Sequence, residues 1–421
     1  MKLVAQNLNF PTSLTFDTAG RLYVAESGLP FGGAPAGGRI VRIEPAGNFV
    51  CLLDRLRPPV TGVTHYKGAL YISEGGAPGR ISRFSLDGVW ETILDHLPGP
   101  GNYHTNMVAI GPDEKIYFSQ GAMTNSGIIG LDAYELGWLK RLPHAHDVPG
   151  YSITLAGWNA GTPDPNPSSQ ANTVTTGAFS PFGWPTVRGD VVPGCLPCTA
   201  GLMRCNLDGS SLELVAWGLR NAFGIGFLPD GRLLATDQGA DDRGSRPVGK
   251  APDLLYEVRP GRWYGWPDFV GGVPVTDPTF RTERGPAPNF LIANHAELPP
   301  PEKPLAEFPV NSAAVKFDIA PRNTPKWPGH IFVALFGDER PMTSPAKSRV
   351  GRHIVRIDPL NWSLHPFPAE SLARPIDLRF HPASRDLYVL DFGEFEMAPE
   401  GRVVARAGSG KVWKASTRGE N

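Results

Sequence analysis

One pattern of apolar and polar positions recurs along the chain. Each copy has a short apolar strand, a turn, and a second strand of apolar and aromatic residues that closes on a polar residue and a glycine. A further alternating strand, as in GRIVRIEP, follows each copy. Alternation of this kind between turn residues predicts antiparallel meanders of three or four strands. The clear copies lie at 14–28, 62–76, 108–121 and 225–239, and two looser copies lie at 315–337 and 378–393.

Six such units predict an all-β fold, a six-bladed β-propeller with two long loop insertions. We expect a single domain over 1–421, with insertions at about 123–200 and 262–310 that are rich in proline and glycine. The strand at 411–414 is expected to pair beside the N-terminal segment and close the ring. A β-sandwich or an open solenoid would not account for six turn-linked units of blade length.

Composition supports a packed, turn-rich β protein. The chain has 421 residues with 49 glycines and 44 prolines, yet 41% of its residues are apolar, which argues against disorder. Its net charge of −1 gives no reason to expect nucleic acid or an anionic membrane as a partner. No stretch approaches the roughly 18 apolar residues of a membrane span, so we expect none.

The four cysteines bear on location. Cys195, Cys198 and Cys205 cluster in a Gly/Pro-rich stretch, where we expect one local disulfide, with free thiols as the alternative. A disulfide would fit a periplasmic or secreted protein. The segment 1–7 has no signal-peptide core, so a cytoplasmic location is the alternative.

Polar residues recur at one end of the predicted blades. Residues just before each inner strand and just after each second strand meet at one mouth of a propeller channel, which therefore gathers a histidine, two arginines, amides and carboxylates. Such convergence predicts a binding or catalytic site. The residues before the inner strands are Thr12, Thr61, His104, Arg220, Asn221, Asn311, Ser312 and Arg374. Those after the second strands are Glu26, Glu74, Gln120, Asp237, Gln238, Leu335 and Asp391.

Several of these residues also have structural interpretations. An isolated histidine such as His104 could simply be hydrogen-bonded at the start of a strand, although its place on the polar rim favours function. Glu26 and Glu74 are expected to bind rim backbone. The acidic and basic run 241–243 is interpreted as a solvated charge cluster, and 264–267 as either a packing corner or a stacking wall for a sugar ring.

Four motifs in the second half of the chain resemble the soluble glucose/sorbosone dehydrogenases. They are AWGLRN at 216–221, LPDGRL at 228–233, DQG at 237–239 and PGRWYGWP at 260–267. The order of the motifs carries the resemblance, which is specific over about 200–270. Proteins of this family are six-bladed propellers that use pyrroloquinoline quinone (PQQ) and calcium.

The resemblance implies a catalytic pair. His104 matches the family's general base, which takes the hydroxyl proton of the sugar while hydride passes to the quinone. A neutral imidazole suits that task near neutral pH. Arg220 matches a residue that polarises the quinone oxygen, and its fixed charge suits a developing anion.

The resemblance also implies cofactor and metal contacts. Asn221 and Gln238 would hydrogen-bond around PQQ, Asp253 would place a carboxylate near the same site, and Arg374 would grip a cofactor carboxylate. Calcium, which favours oxygen ligands, would bind the backbone carbonyls of Gly239 and Ala240.

Some positions depart from the family pattern. Ala122 and Ile376 stand where an aspartate and a second arginine are usual, and no lysine is in register in the fifth blade. Lys347 or Arg349 could supply a cation there instead.

The sequence therefore predicts an oxidoreductase that oxidises a hydroxyl of a sugar or polyol by hydride transfer to PQQ with calcium. The insertions are expected to wall the substrate pocket. Two alternatives stay open: a metal-dependent lactonase or related hydrolase, and a non-catalytic carbohydrate-binding propeller. The hydrolase would use rim carboxylates as metal ligands, namely Glu26, Glu74, Asp237 and Asp391.

Overall fold

The first two blades are regular four-stranded meanders. The computed structural model describes residues 1–165, 172–343, 349–369, 372–398 and 402–417. Strand β1 (Lys2–Leu8) comes first and belongs to the last blade. The first blade then comprises β2 (Pro11–Phe16), β3 (Leu22–Glu26), β4 (Gly38–Ile43) and β5 (Phe49–Leu56). The second comprises β6 (Val60–Tyr66), β7 (Ala69–Glu74), β8 (Gly79–Ser85) and β9 (Trp90–Leu97).

The third blade is interrupted by a long excursion. It begins with β10 (Thr105–Ile110) and β11 (Ile116–Gln120). The excursion then holds α1 (Leu131–Glu135), α2 (Trp138–Arg141), and the paired strands β12 (Ile153–Thr154) with β15 (Val191–Val192) and β13 (Asn159–Pro163) with β14 (Thr173–Gly177). The blade resumes with β16 (Gly201–Cys205) and β17 (Glu213–Trp217). Neither helix is long or apolar enough to cross a membrane, and the same holds for every other helix in the described ranges.

The fourth blade is interrupted by a second excursion, which lies between its third and fourth strands. It contains β18 (Gly224–Phe227), β19 (Leu233–Asp237) and β20 (Leu254–Val258). The excursion follows with β21 (Arg262–Trp263), which pairs parallel to β17, and the hairpin β22 (Phe269–Val270) and β23 (Val273–Pro274). Strand β24 (Ala306–Glu307) completes the blade. Short 3₁₀ turns lie at Phe31–Gly33, Pro278–Phe280 and His295–Glu297.

The last two blades close the ring. The fifth comprises β25 (Ala314–Ile319), β26 (Ile331–Leu335), β27 (His353–Ile357) and β28 (Leu364–Phe367). The sixth starts with β29 (Pro375–Phe380) and β30 (Leu387–Asp391), and a hairpin of β31 (Phe395–Met397) and β32 (Val403–Ala405) precedes β33 (Gly410–Ala415). Strand β33 pairs with β30 on one side and with β1 on the other, which confirms the predicted closure by the N-terminal segment.

Burial explains why these sequences form blades. The second strand of a blade is covered by neighbouring blades on both faces, and β3, β7, β11, β19 and β26 are buried along their whole length. Outer strands such as β9 keep several exposed positions. The inner strands contact one another in cyclic order, β2–β6–β10–β18–β25–β29 and back to β2. Within the described residues, this ring of six sheets confirms the six-bladed propeller.

One buried lysine crosses the channel. The Nζ atom of Lys316 on β25 donates hydrogen bonds to the carbonyl oxygens of Thr12 (2.7 Å) and Thr61 (2.5 Å) and lies 3.9 Å from Asp377 Oδ2. Burial lowers the pKa of this lysine to about 7. Lys316 thus ties the first, second, fifth and sixth blades together at the centre.

The disulfide expected in the third blade is absent. All four cysteines are free; Cys195 is exposed, whereas Cys198 and Cys205 are buried. Cys198 lies beside Gly201, the first residue of the extended strand β16, whereas Cys205 is its last residue. The strand spans about 13 Å, too far for a disulfide that needs Cα atoms within about 7 Å. Burial raises the pKa of both thiols to about 12. The cysteines therefore give no argument for an oxidising compartment.

Candidate active site at the propeller mouth

Carboxylates at the ends of the second strands hold the rim together. Each accepts a hydrogen bond from a backbone N–H group that lies one to three residues before the inner strand of the same blade. This confirms the backbone role predicted for Glu26 and Glu74 and extends it to two aspartates. The N–H donors are Asn9 to Glu26 (2.7 Å), Arg57 to Glu74 (2.6 Å), Asn221 to Asp237 (2.8 Å) and Arg374 to Asp391 (2.8 Å).

These four carboxylates are therefore not available as a metal cluster. Glu26 and Glu74 are also paired with Arg39 and Arg80. Among the residues that the structure describes, no group of three or more His, Cys, Asp or Glu side chains could hold a metal ion. The metal-dependent hydrolase thus lacks the ligand set that the sequence had offered for it.

His104 lies directly before β10, at the mouth. Its side chain is half-buried; its Nδ1 atom is buried and makes no hydrogen bond of regular geometry, although the Thr105 backbone and the Asn106 side chain interact with the imidazole. The Oδ1 atom of Asn106 on the same strand is also buried without a partner. Burial lowers the pKa of His104 to about 4. The imidazole is consequently neutral at neutral pH.

A chain of amides runs beside His104. Asn106 Nδ2 donates to Asn221 Oδ1 (2.9 Å), and Asn221 Nδ2 donates to Gln238 Oε1 (2.7 Å). Asn221 and Gln238, assigned together by the resemblance, are thus neighbours in space. These amides bond mainly to one another, which fixes their orientation at the mouth.

Arg220 shares this mouth with His104. The backbone carbonyls of His104 and Arg220 accept hydrogen bonds from consecutive residues, Gly121 N (2.9 Å) and Ala122 N (2.8 Å). The guanidinium of Arg220 lies 4.5 Å from the ring centroid of Tyr103, the neighbour of His104. The two residues predicted as the catalytic pair are therefore brought together by the fold.

The guanidinium of Arg220 is fully occupied within the protein. It donates to Asn125 Oδ1 (2.6 Å), to Asp241 Oδ2 (2.8 Å), to the Tyr103 hydroxyl and to the carbonyl oxygens of Gln238 (3.2 Å) and Gly239. Its side chain is 3% exposed. Arg220 is thus positioned by protein groups on every side.

A layer of buried charges, which we call the ionic layer, continues from Arg220. It consists of Tyr103, Asp132, Arg220, Asp241 and Arg243. Arg243 pairs with Asp241 (3.0 Å) and Asp132 (3.2 Å) and donates to the Tyr103 hydroxyl (3.1 Å). Burial alone would raise the pKa of Asp241, but the two arginines hold it below its usual value. The interpretation of 241–243 as a solvated cluster is therefore wrong, because residues of the first excursion cover these charges.

Gly239, one of the two predicted calcium ligands, has partners within the protein. The carbonyl oxygen of Gly239 accepts a hydrogen bond from Arg220, and its N–H donates to Asp253 Oδ1 (2.8 Å). The other oxygen of Asp253 accepts from Ser312 Oγ (3.1 Å) and Ala314 N (2.8 Å). Burial raises the pKa of Asp253 to about 6. Asp253 thus joins the fourth and fifth blades. Ala240, the other predicted calcium ligand, is the residue directly after Gly239 in the loop that follows β19.

Arg374, the predicted cofactor clamp, is held by the sixth blade and its neighbour. It donates to the carbonyl oxygens of Phe395 (2.6 Å), Gly337 (3.2 Å) and Asp338 (3.0 Å) and pairs with Glu396 Oε2 (3.2 Å). Its side chain is 1% exposed. Arg374 therefore lies at the mouth as predicted, but its partners are groups of this chain.

The segment 264–267 is a packing corner. Tyr264 and Trp266 are 1% and 5% exposed. The Tyr264 hydroxyl donates to the carbonyl of Glu257 (2.8 Å), and Trp266 Nε1 donates to the carbonyl of Asn125 (3.2 Å). Of the two interpretations offered for this segment, the stacking wall is excluded by burial.

A cavity of about 620 Å³ adjoins the ionic layer. Both excursions contribute to its wall, and so does the loop after β26, which is the arrangement expected of insertions around a substrate pocket. The cavity reaches the ionic layer through Asp132 and Arg243, whereas His104 does not line it. Further lining residues include Glu135, Thr162, Arg284 and Pro341.

Comparisons with known proteins give the same fold. No protein-family model matches the chain, and no curated protein is significantly similar in sequence. The PQQ-bound aldose sugar dehydrogenase from Streptomyces coelicolor superposes with a TM-score of 0.58 at 16% identity, covering 98% of this chain and 96% of that one. The apo soluble aldose sugar dehydrogenase from Escherichia coli gives 0.54 at 13% identity, covering 99% of each chain.

A fungal structure agrees with these two. The PQQ domain of pyranose dehydrogenase from Coprinopsis cinerea, in its holo form, gives a TM-score of 0.57 at 14% identity over 97% of this chain and 93% of that one. The resemblance to glucose/sorbosone dehydrogenases is thereby confirmed at the level of the fold.

The ionic layer and Glu396 were not predicted from the sequence. Tyr103 and Asn125 gave no signal, because single aromatic and amide residues in loops are common. Asp241 and Arg243 did give one, since they directly follow the Gly239–Ala240 step. A charged pair beside a site residue could have been tested as part of that site.

Proposed function

We propose that this chain is an oxidoreductase that acts on a hydroxyl of a sugar or polyol at the propeller mouth. The observation that carries the proposal is the half-buried, neutral imidazole of His104 at the mouth, beside the amide network of Asn106, Asn221 and Gln238. Similar structures with the same fold are sugar dehydrogenases, among them PQQ-bound forms, which supports this reaction class.

The chain's own residues supply the proton side of such a reaction. His104 would take the hydroxyl proton, while the hydride with its electron pair would pass from the carbon to an external two-electron acceptor such as the dye of the assay. A general base of this kind typically contributes 10²–10⁴-fold. The amides of Asn106, Asn221 and Gln238 keep the site polar, so the substrate hydroxyl can be oriented beside His104 without a charged side chain.

PQQ and calcium are the acceptor and metal that the resemblance implies, but the residues present fit them poorly. A hard cation at Gly239 would compete with the guanidinium that already bonds this carbonyl. A tricarboxylate needs free positive charge, yet Arg220 and Arg243 share Asp241 and Arg374 is paired with Glu396. We therefore derive no step through either group.

A second candidate function is carbohydrate binding without turnover. The paired state of Arg220, Arg243 and Arg374 favours it, because a mouth neutralised by its own carboxylates suits an uncharged ligand. The cavity of about 620 Å³ is large enough for a monosaccharide.

One set of assays separates the two functions. Purified protein is given a panel of aldoses and polyols with an artificial electron acceptor, with and without PQQ and calcium, and dye reduction is followed. Binding of the same compounds is measured by calorimetry. Dye reduction with a saturating sugar supports the oxidoreductase, and binding without dye reduction under any condition supports the second candidate. Turnover that needs added PQQ and calcium would contradict the conclusion that the residues of this mouth fit these two groups poorly.

A further inference from the structure

Three arginines converge on one carboxylate beside the mouth. Glu396 on β31 forms a two-point ion pair with Arg352 (2.7 and 2.8 Å) and also pairs with Arg374 (3.2 Å) and Arg349 (3.6 Å). Two residues further along the chain, Ala398 lines the large cavity. The three guanidinium groups thus form an anion site that is open to solvent on one side, where Arg349 is 67% and Glu396 44% exposed, and Glu396 occupies it.

This cluster includes one of the two residues that could replace the cation missing from the fifth blade. Arg349 was expected from the sequence as one of two substitutes, and the other, Lys347, lies outside the described residues. Arg349 and Arg374 do meet at a carboxylate, but the carboxylate belongs to the chain. The position at which the resemblance places a cofactor carboxylate is therefore taken by Glu396.

Two further carboxyl groups, those of Asp338 and Glu339, lie near the three arginines. Asp338 accepts from Arg340 Nε (2.5 Å) and from Val350 N (3.0 Å), so it has partners of its own. Glu339 lies close enough to Arg374 to interact with it, and burial raises the pKa of this carboxyl group. Glu396 is consequently the carboxylate that directly bridges the three arginines.

We propose that Glu396 occupies the anion site of Arg349, Arg352 and Arg374 and thereby makes the mouth selective for uncharged polyhydroxylated ligands over carboxylates. Glu396 acts as a specificity-determining residue. A ligand carboxylate binds there only after it displaces Glu396, which is tethered at high local concentration and already makes charge-assisted hydrogen bonds. The inference concerns the same mouth as the proposed function, whose substrate class it narrows to neutral sugars and polyols.

The test compares the wild-type protein with Glu396→Gln, which keeps a hydrogen-bond acceptor but removes the charge. Glu394→Gln is the matched control: Glu394 precedes the same hairpin and pairs with the exposed Arg406, away from the three arginines. Calorimetric titrations use PQQ, benzene-1,3,5-tricarboxylate as a carboxylate without a quinone, and a neutral aldose that binds the wild type.

We expect Glu396→Gln to bind both carboxylates about tenfold more tightly or better, with aldose affinity changed by less than about twofold. Glu394→Gln should behave as the wild type. Equal carboxylate affinities in wild type and Glu396→Gln would overturn the inference, and so would tight PQQ binding by the wild type.

A second variant guards against misfolding. Glu396→Asp keeps the charge, and its carboxylate affinity should stay at the wild-type level while Glu396→Gln gains; a gain in both would contradict the proposed charge competition. Thermal unfolding with and without the tricarboxylate reports the same affinity as a shift in melting temperature. These readouts are independent of turnover, so failure of the inference and failure of the oxidoreductase proposal are distinguishable.

Discussion

The neutral state of His104 has a measurable signature at the residue scale. Because burial lowers the pKa of its imidazole to about 4, His104 is unprotonated across the neutral range. An exposed histidine would instead become protonated near pH 6.5. We expect the acid limb of kcat/KM to fall near pH 4, measured from initial rates of dye reduction between pH 3.5 and 8. A limb near pH 6.5 would contradict the buried environment of His104.

The same group links stability to pH. The unfolded chain protonates His104 below about pH 6.5, whereas the folded chain does so only below about pH 4. The unfolded state binds more protons within this window, so stability falls as pH drops through it, by on the order of 3 kcal/mol in total. Urea unfolding from pH 4 to 7 should give a steeper loss for wild type than for His104→Asn. Equal slopes for wild type and His104→Asn would contradict this linkage.

At the scale of elements, one buried ion pair connects the two excursions. Arg246 lies between β19 and β20 and donates to the carbonyls of Ser126 (2.9 Å) and Asn289 (2.7 Å) and to Asp268 (2.8 Å). Both members of the pair are 0% exposed. Asp268 in turn accepts from the N–H groups of residues 291 and 292. Arg246 therefore contacts both excursions, through the Ser126 carbonyl of the first and through Asp268 and the Asn289 carbonyl of the second.

We therefore predict that Arg246→Ala destabilises the protein strongly. Loss of Arg246 leaves the buried carboxylate of Asp268 with only His295 Nε2 (3.0 Å) and the N–H groups of residues 291 and 292 as partners. Breaking a buried ion pair in this way typically costs about 3–5 kcal/mol. Urea unfolding measures the change, and limited proteolysis should cut first within the two excursions. Arg259→Ala removes a half-exposed pair with Glu302 and should cost less than about 1 kcal/mol. Similar losses for both variants would contradict the role given to Arg246.

The elements show which parts of the structure are readable from sequence. Leu22, Ile116 and Leu387 recur at the start of buried second strands, so alternation and turns were sufficient to predict the blades. The rim residues followed from where those strands end. The ionic layer did not, because Asp241 is buried only once Asp132 of a distant excursion packs beside Arg243. Glu396 was missed because its hairpin is an addition to the sixth blade, outside the repeat.

At the scale of the whole molecule, stability depends on closing the ring. Strand β1 pairs with β33 and buries Ala5 and Leu8, which are 2% and 0% exposed. Without β1, strand β33 becomes an open edge of the sixth blade.

Deletion of residues 1–8 should therefore lower the melting temperature by 10 °C or more, roughly the effect of several kcal/mol, and promote aggregation. Leu3→Ala changes an exposed position of the same strand and should have little effect. Thermal unfolding with light scattering measures both, and an unchanged melting temperature after the deletion would show that the ring closes without β1.

The most direct test of the account is the turnover number of His104→Ala relative to wild type, measured by dye-linked oxidation of a sugar or polyol that the wild type turns over. If His104 is the general base, kcat falls about 10²-fold or more while sugar affinity and unfolding temperature stay near the wild-type values, and His146→Ala is fully active. A kcat within a factor of about two of wild type would contradict the account.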